Sequence, residues 1–187
     1  IAELVHQKSV EILDEVGFCV PEREALARLQ AAGFPVDRDS QMVRVTPELL
    51  QAALAHLPHK VVLYDRSGER PVPFEQSPCF MGAGTPVNVL DLETGRRRPS
   101  TRQDVRDLVL LQDALPQVDI VRPTVTATDQ GECSDLVEIA ELLRGTGKPA
   151  VHRTLSAERV DAAAEMIAAV AGGEEAFQAH PNFATLY

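Results

Sequence analysis

Residues 81 to 101, MGAGTPVNVLDLETGRRRPST, hold the densest set of groups in this chain that could meet a ligand. Gly82 and Gly84 let a ligand approach the backbone closely, because glycine has no Cβ. Thr85 and Asn88 come next with a hydroxyl and an amide. Further on, Thr124, Thr126 and Thr128 lie along and just after a strand-like run, and His152, Arg153 and Thr154 lie on another. His152 could serve as a base, a ligand or a hydrogen-bond donor to a substrate carboxylate. Arg153 could grip a carboxylate with two N–H donors. Neighbours on a strand face opposite sides, so only one of the two can face a site. His152 is the one expected there, since arginine is commoner at a rim. By the same alternation Thr124 and Thr126 share a face. Plainer accounts stand beside these: a turn requirement for the glycines, strand filler for the threonines and a packed core residue for His152.

Other chemistries lack their motifs. Cys19, Cys79 and Cys133 are odd in number and widely spaced, which suggests neither a zinc site nor a disulfide framework. No bound metal is expected. No G-x-S-x-G, H-E-x-x-H or P-loop occurs. Gly82-Ala83-Gly84 lacks the third glycine of a dinucleotide fingerprint. Asp65, Asp91 and Glu93 are not spaced as an acid/base pair. Aromatic residues make up 4% of the chain and tryptophan is absent, so no aromatic cage for a quaternary amine is evident here.

Lys and Arg number 18 against 28 Asp and Glu, a net charge of −10. That balance argues against a nucleic-acid partner or an anionic membrane surface. The run Arg96 to Arg98 reads as a solvated hairpin strand rather than a phosphate site. No apolar run reaches the roughly 18 residues of a membrane span. A reducing, cytoplasmic setting is the expectation.

The elements that must position these groups keep a rhythm. Residues 1–77 read as a mainly helical extension with short strands. Gly17 stops a first helix, Pro21 begins a second, and Thr46-Pro47 starts a third with Leu49, Leu50, Ala53, Leu54 and Leu57 on its buried side. His6, His56, His59 and His180 are expected at the surface. Residues 70–78, with three prolines, read as a linker or edge segment.

From residue 78 the pattern becomes β-α-β-α-β-α-β. Cys79 to Met81 enter the glycine loop, and Val87 to Leu92 and Arg96 to Pro99 form a hairpin around Glu93-Thr94-Gly95. Thr101 and Asp104 form a capping box for a helix with Val105, Leu108, Val109, Gln112 and Leu115 along one stripe. Val118 to Ala127 is a strand. Ser134 caps the next helix, Lys148 to Leu155 is a strand, Ser156 caps a third helix, and Asn182 to Tyr187 is a last strand. Such alternation means parallel strands with right-handed crossovers. The expected class is α/β, with residues 78–187 as the first half of an eight-stranded (β/α)8 barrel. A half barrel leaves an open edge, so the chain is expected to be a piece of something longer, or to be completed by another chain. In such folds sites form at the C-terminal strand ends, which is where the residues named above fall.

The wording of several segments is specific. NVLDLETGRRRPST with the adjoining QDVRDLVLLQDALPQVDIV, the earlier VEILDEVGFCVPEREAL and the later AAAVAGGEEAFQAHP resemble the trimethylamine methyltransferase family, in the family's order and across the whole chain. The resemblance implies the N-terminal portion of a TIM-barrel enzyme with a helical extension. It implies transfer of a methyl group from trimethylamine, or from a quaternary amine such as glycine betaine, to the cobalt of a corrinoid. The corrinoid (cobalamin) rides on a separate small protein, the implied partner. A homo-oligomer is the expected assembly. The pyrrolysine position and the catalytic residues of such a protein would fall beyond Tyr187. Substrate-binding candidates within this chain are Gly82, Gly84, Thr85, Asn88, Thr124, Thr126 and His152. Alternatives of other classes are a barrel lyase or decarboxylase, and a non-catalytic amine-binding relative.

Overall fold

The computed structural model describes residues 1–58, 60–73, 78–179 and 182–186. The chain divides into two compact units, Ile1–His59 and Lys60–Tyr187.

The first unit carries α1 (Ala2–Glu15), α2 (Arg23–Ala31) and α3 (Pro47–Ala55) around a small antiparallel sheet. Its strands are β1 (Phe18–Cys19), β2 (Val36–Asp37) and β3 (Met42–Val43), with β3 in the middle. Gly17 ends α1 with φ +75°, and a Cβ there would stand 2.1 Å from the Val43 carbonyl oxygen. Only glycine fits that approach. Helix α2 begins at Arg23 rather than Pro21. Glu22 is its cap, its carboxylate accepting from the backbone of Glu24 and Ala25. Thr46 caps α3 with Pro47 in its first turn, as expected. The buried side expected of α3 is not buried: Leu49 and Leu50 are half-covered, and Ala53, Leu54 and Leu57 are exposed. His6 and His56 are exposed, whereas His59 and His180 lie outside the described residues.

The second unit opens with an antiparallel hairpin, β4 (Val62–Tyr64) and β5 (Pro71–Pro73). Part of the expected 70–78 linker is therefore a strand, and residues 74–77 lie outside the described residues. Backbone hydrogen bonds tie this hairpin to the later strands and helices of the unit. Tyr64 N donates to Asn182 O at 2.8 Å and Arg66 N to Gly147 O at 2.8 Å.

A second hairpin, β6 (Asn88–Leu90) and β7 (Arg97–Pro99), pairs Asn88 with Pro99 and Leu90 with Arg97. It leads into α4 (Arg102–Ala114). Then come a 3-10 turn (Thr128–Cys133), α5 (Ser134–Gly145), β8 (Ala150–His152), α6 (Ala157–Ala171), a short α7 (Glu174–Ala179) and β9 (Ala184–Leu186). Parallel pairing runs in sequence order: Met81 bridges Ile120, Val121 bridges Ala150, and β8 pairs with β9. Helices α4, α5 and α6 cover one face of this row through two apolar clusters. One joins Val105 and Val109 to Val121, Val125, Ala127, Leu142 and Ala150. The other joins Ile139, Leu143, Ala163 and Ile167 to Phe183. Fully burying a side chain such as Val109 is worth about 1.5–3 kcal/mol.

The strands are shorter than the sequence pattern suggests. Cys79 to Met81 reduces to one bridge, and Lys148 to Leu155 to three residues. The expected strand Val118 to Ala127 pairs only at Ile120 and Val121. Pro123 has no N–H to continue a ladder. Beyond it the backbone finds partners in the loop before α4 instead. Ser134 lies inside α5 with Cys133 at the cap position, and Ser156 caps α6 without a side-chain bond. Among the described residues no helix is long and apolar enough to cross a membrane.

Candidate functional site

The segment 81–101 is laced onto the end of the 120–127 run. Thr126 donates its N–H to Pro86 O at 2.9 Å and its Oγ1 to Thr85 O at 3.3 Å. Ser100, fully buried, donates Oγ to Thr126 O at 2.7 Å. Its carbonyl in turn accepts from Thr128 N at 3.1 Å and Thr128 Oγ1 at 2.6 Å. Buried backbone groups that leave a sheet need such substitutes.

Helix α4 is locked to the same segment. Thr101 N donates to Asp104 Oδ2 at 2.8 Å, and Asp104 N donates to Thr101 Oγ1 at 3.4 Å, closing the expected capping box. Arg98 adds two bonds of 2.7 Å to the two Asp104 oxygens. That bidentate contact, with the Thr101 bonds, holds the Asp104 carboxyl well below the usual carboxylate range, and Asp104 raises Arg98 in turn. Arg98 thus pins a hairpin strand to a helix, and its charge is already matched.

Gly82 lies where side chains converge. A Cβ there would meet Gln112 Oε1 at 2.1 Å and Thr124 Cγ2 at 2.9 Å. Gln112, on α4, donates Nε2 to Leu108 O at 3.0 Å and Arg122 O at 2.9 Å. Gln112 Oε1 and Thr124 Oγ1 are buried without a hydrogen-bond partner among the described residues. The structure therefore brings Gly82 beside Thr124, and Thr85 beside Thr126. Gly84, with φ +65°, turns the chain between Gly82 and Thr85. Asn88 is half-buried on the hairpin, paired with Pro99.

His152 is not where the sequence pattern puts it. Its side chain is 1% exposed and packs into the helix layer, where a cavity of about 10 Å³ is lined by Ile139, Leu142, Ile167 and Leu186 among others. Its Nε2 stands 2.9 Å from Glu138 Oε2. The contact is close but poorly aligned for an N–H donor, and Nδ1 has no partner among the described residues. Alternation therefore directs Val151 and Arg153, not His152, to the opposite face. The preference for arginine at a rim was outweighed by a buried acid on α5 that imidazole can meet. Arg153 is half-buried and has no ion-pair or hydrogen-bond partner among the described residues.

The acids of α5 were not singled out by sequence pattern. Asp135, Glu138 and Glu141 are all nearly buried. Asp135 accepts from Leu155 N at 2.8 Å and Arg159 Nη1 at 2.9 Å, which fixes the loop after β8. Glu138 accepts from Ala127 N at 2.8 Å. Glu141 holds Arg102 Nε at 2.7 Å. Their three-residue spacing on one helix face was the available signal. Gln112 had a similar one, a polar residue on the apolar stripe of α4. Among the described residues no three His, Cys, Asp or Glu side chains converge as metal ligands would.

Strand alternation assigns Arg153 to the face opposite the helix layer, beside the Gly84–Thr85 turn that is bonded to Thr126. A guanidinium there can orient a small polar or anionic group.

Comparison with known proteins places this chain in a family. The profile described as Trimethylamine methyltransferase (MTTB) matches residues 1–186. Trimethylamine methyltransferase MttB of Desulfitobacterium hafniense is 27% identical over 181 residues, covering 96% of this chain and 36% of that protein. MttB2 of Methanosarcina mazei is 27% identical over 180 residues, covering 91% of this chain and 36% of its own. MttB of Methanosarcina barkeri is 27% identical over 181 residues, with the same coverage. The chain spans about a third of the length of these curated relatives. With its matched residues running from end to end, the chain belongs to the trimethylamine methyltransferase family.

Proposed function

We propose that the protein to which this chain contributes moves a methyl group from a methylated amine to the cobalt of a corrinoid carried on a separate small protein. The observation that carries this reading is the family match over residues 1–186. The four parallel strand positions in sequence order, with helices on one face, support the first half of a (β/α)8 barrel. In that architecture the strand-end face bearing Thr85, Thr124, Thr126 and Arg153 is the substrate side.

The work left to these residues is orientation. Transfer of a methyl group needs the donor nitrogen, the carbon and the acceptor in line. The turn at Gly84 and Thr85 and the Arg153 guanidinium would orient the amine. A quaternary ammonium leaves as a neutral amine and needs no proton. His152 faces the helix layer, away from this side.

One observation favours a carboxylate-bearing quaternary amine, such as glycine betaine, within this class. The Arg153 guanidinium, without a partner among the described residues, would repel a simple ammonium and match a carboxylate. Incubating the full-length protein with the corrinoid protein, reduced to Co(I), and individual methylated amines tests both statements. Methylcobalamin formation with one of them is the expected result, and its absence with all of them sinks the proposal.

A further inference from the structure

Resting on that reading, we infer that Glu138 and His152 are positioning residues for the substrate face, although both lie behind it. The Glu138 carboxylate reaches the ends of two neighbouring strand segments at once. Oε1 accepts the Ala127 N–H at 2.8 Å, and Oε2 stands 2.9 Å from His152 Nε2. The two segments are neighbours, because Val121 bridges Ala150 and Val151 N donates to Val121 O at 3.0 Å. Ala127 directly follows Thr126, and His152 directly precedes Arg153. One side chain on α5 therefore sets the spacing between two groups that would meet substrate on the other face.

Among the described residues no other side chain makes a polar contact with both ends. Strand pairing between the segments stops at Val121 and Ala150. Pro123 cannot extend it, and Thr126 spends its own N–H on Pro86. Past the bridge these two described segments share no backbone bond, and the Glu138 carboxylate spans the gap.

Packing alone does not account for the pair. Both side chains are almost fully buried among apolar residues, where leucines of similar volume would avoid desolvating two polar groups. Neither His152 ring nitrogen has a well-aligned hydrogen-bond partner there among the described residues, and Nε2 meets Glu138 only as a close polar contact, a condition that costs stability. Such a pair suits a role in fixing geometry.

The test uses the full-length protein and three variants: Glu138→Leu, Glu138→Gln and His152→Leu. Methyl-transfer kinetics and hydrogen–deuterium exchange are the readouts. In Glu138→Leu, KM for the amine should rise roughly tenfold or more with kcat within about twofold, because substrate-holding groups are displaced. Amides of 124–128 and 152–155 should exchange faster while those of α6 and β9 keep wild-type protection. Glu138→Gln keeps an acceptor for Ala127 N and should recover protection at 124–128 and most of the KM. His152→Leu should loosen 152–155 alone, and it decides the matter if Glu138→Leu does not fold. A folded Glu138→Leu protein with wild-type KM overturns the inference, as does exchange that rises evenly throughout. Should the wild-type protein transfer no methyl group from any amine, the proposed function fails. The exchange pattern then decides on its own whether this carboxylate holds the two strand ends.

Discussion

Arg98 grips both carboxylate oxygens of Asp104, each at 2.7 Å, across the junction between a hairpin strand and a helix. The same carboxylate receives the Thr101 N–H. A cation, a cap and a turn are thereby closed on one acid, which is why its carboxyl sits below the usual range.

Asp104→Asn should lower the melting temperature at neutral pH. Linkage gives the sign: a carboxyl depressed in the folded state stabilises fully above its unfolded value of ~3.9, and that contribution is lost as pH falls through the folded value. The gap between wild type and variant should therefore be widest near neutrality and close under acid. Melts at a series of pH values check this, and a gap that widens as pH falls contradicts it.

Thr101→Ala removes the other half of the box. The expected loss is about 1 kcal/mol, typical of a helix cap. Denaturant titration of the full-length protein gives the number, and Thr101→Ser should restore most of it.

Gly82→Ala should be destabilising by about 1–3 kcal/mol, since its Cβ would fall 2.1 Å from Gln112 Oε1. Gln112 cannot simply swing aside, because its Nε2 is held by two carbonyls. Adding Gln112→Ala should recover part of the loss, giving a coupling that a double-mutant cycle measures. Strictly additive effects would mean the two positions do not touch.

Gly17→Ala tests the first unit. Its φ is +75° and the obstructing atom is the Val43 carbonyl oxygen, which belongs to the central strand of that sheet. The cost should exceed about 1 kcal/mol, the usual penalty for a side chain in a left-handed position. Limited proteolysis confined to residues 1–59 would report it.

Arg153→Ala should weaken use of a carboxylate-bearing amine by tenfold or more while leaving trimethylamine little changed, about what a bidentate charged contact is worth. Arg153→Lys should restore only part, since a point charge lacks the fork. Competition between the two amines, read as relative methylcobalamin formation, measures it. Equal losses on both substrates would remove Arg153 from carboxylate recognition.

Local chemistry was legible in the sequence wherever a group's partner lies a few residues away. The Thr101–Asp104 box, the β6–β7 hairpin turning at Gly95, the Gly17 stop and the Thr46-Pro47 start all arise from short-range sterics and hydrogen bonding. So does the alternation of strands and helices after residue 78, since hydrophobic period is a local property. The family was also carried by the sequence, through wording rather than physics.

Which way His152 points could not be settled there. Alternation dictates that His152 and Arg153 face opposite sides but not which side each takes. That choice belongs to Glu138, fourteen residues upstream on another element, whose buried carboxylate draws the imidazole into the helix layer. The length of the 118–127 strand was undetermined for a similar reason. Its residues are strand-like throughout, yet the backbone past Pro123 bonds to Pro86 and Ser100 instead of a neighbouring strand. Sequence determines what each segment can do by itself. Tertiary structure decides which of those options is taken, because buried polar groups must find partners and those partners come from distant parts of the chain.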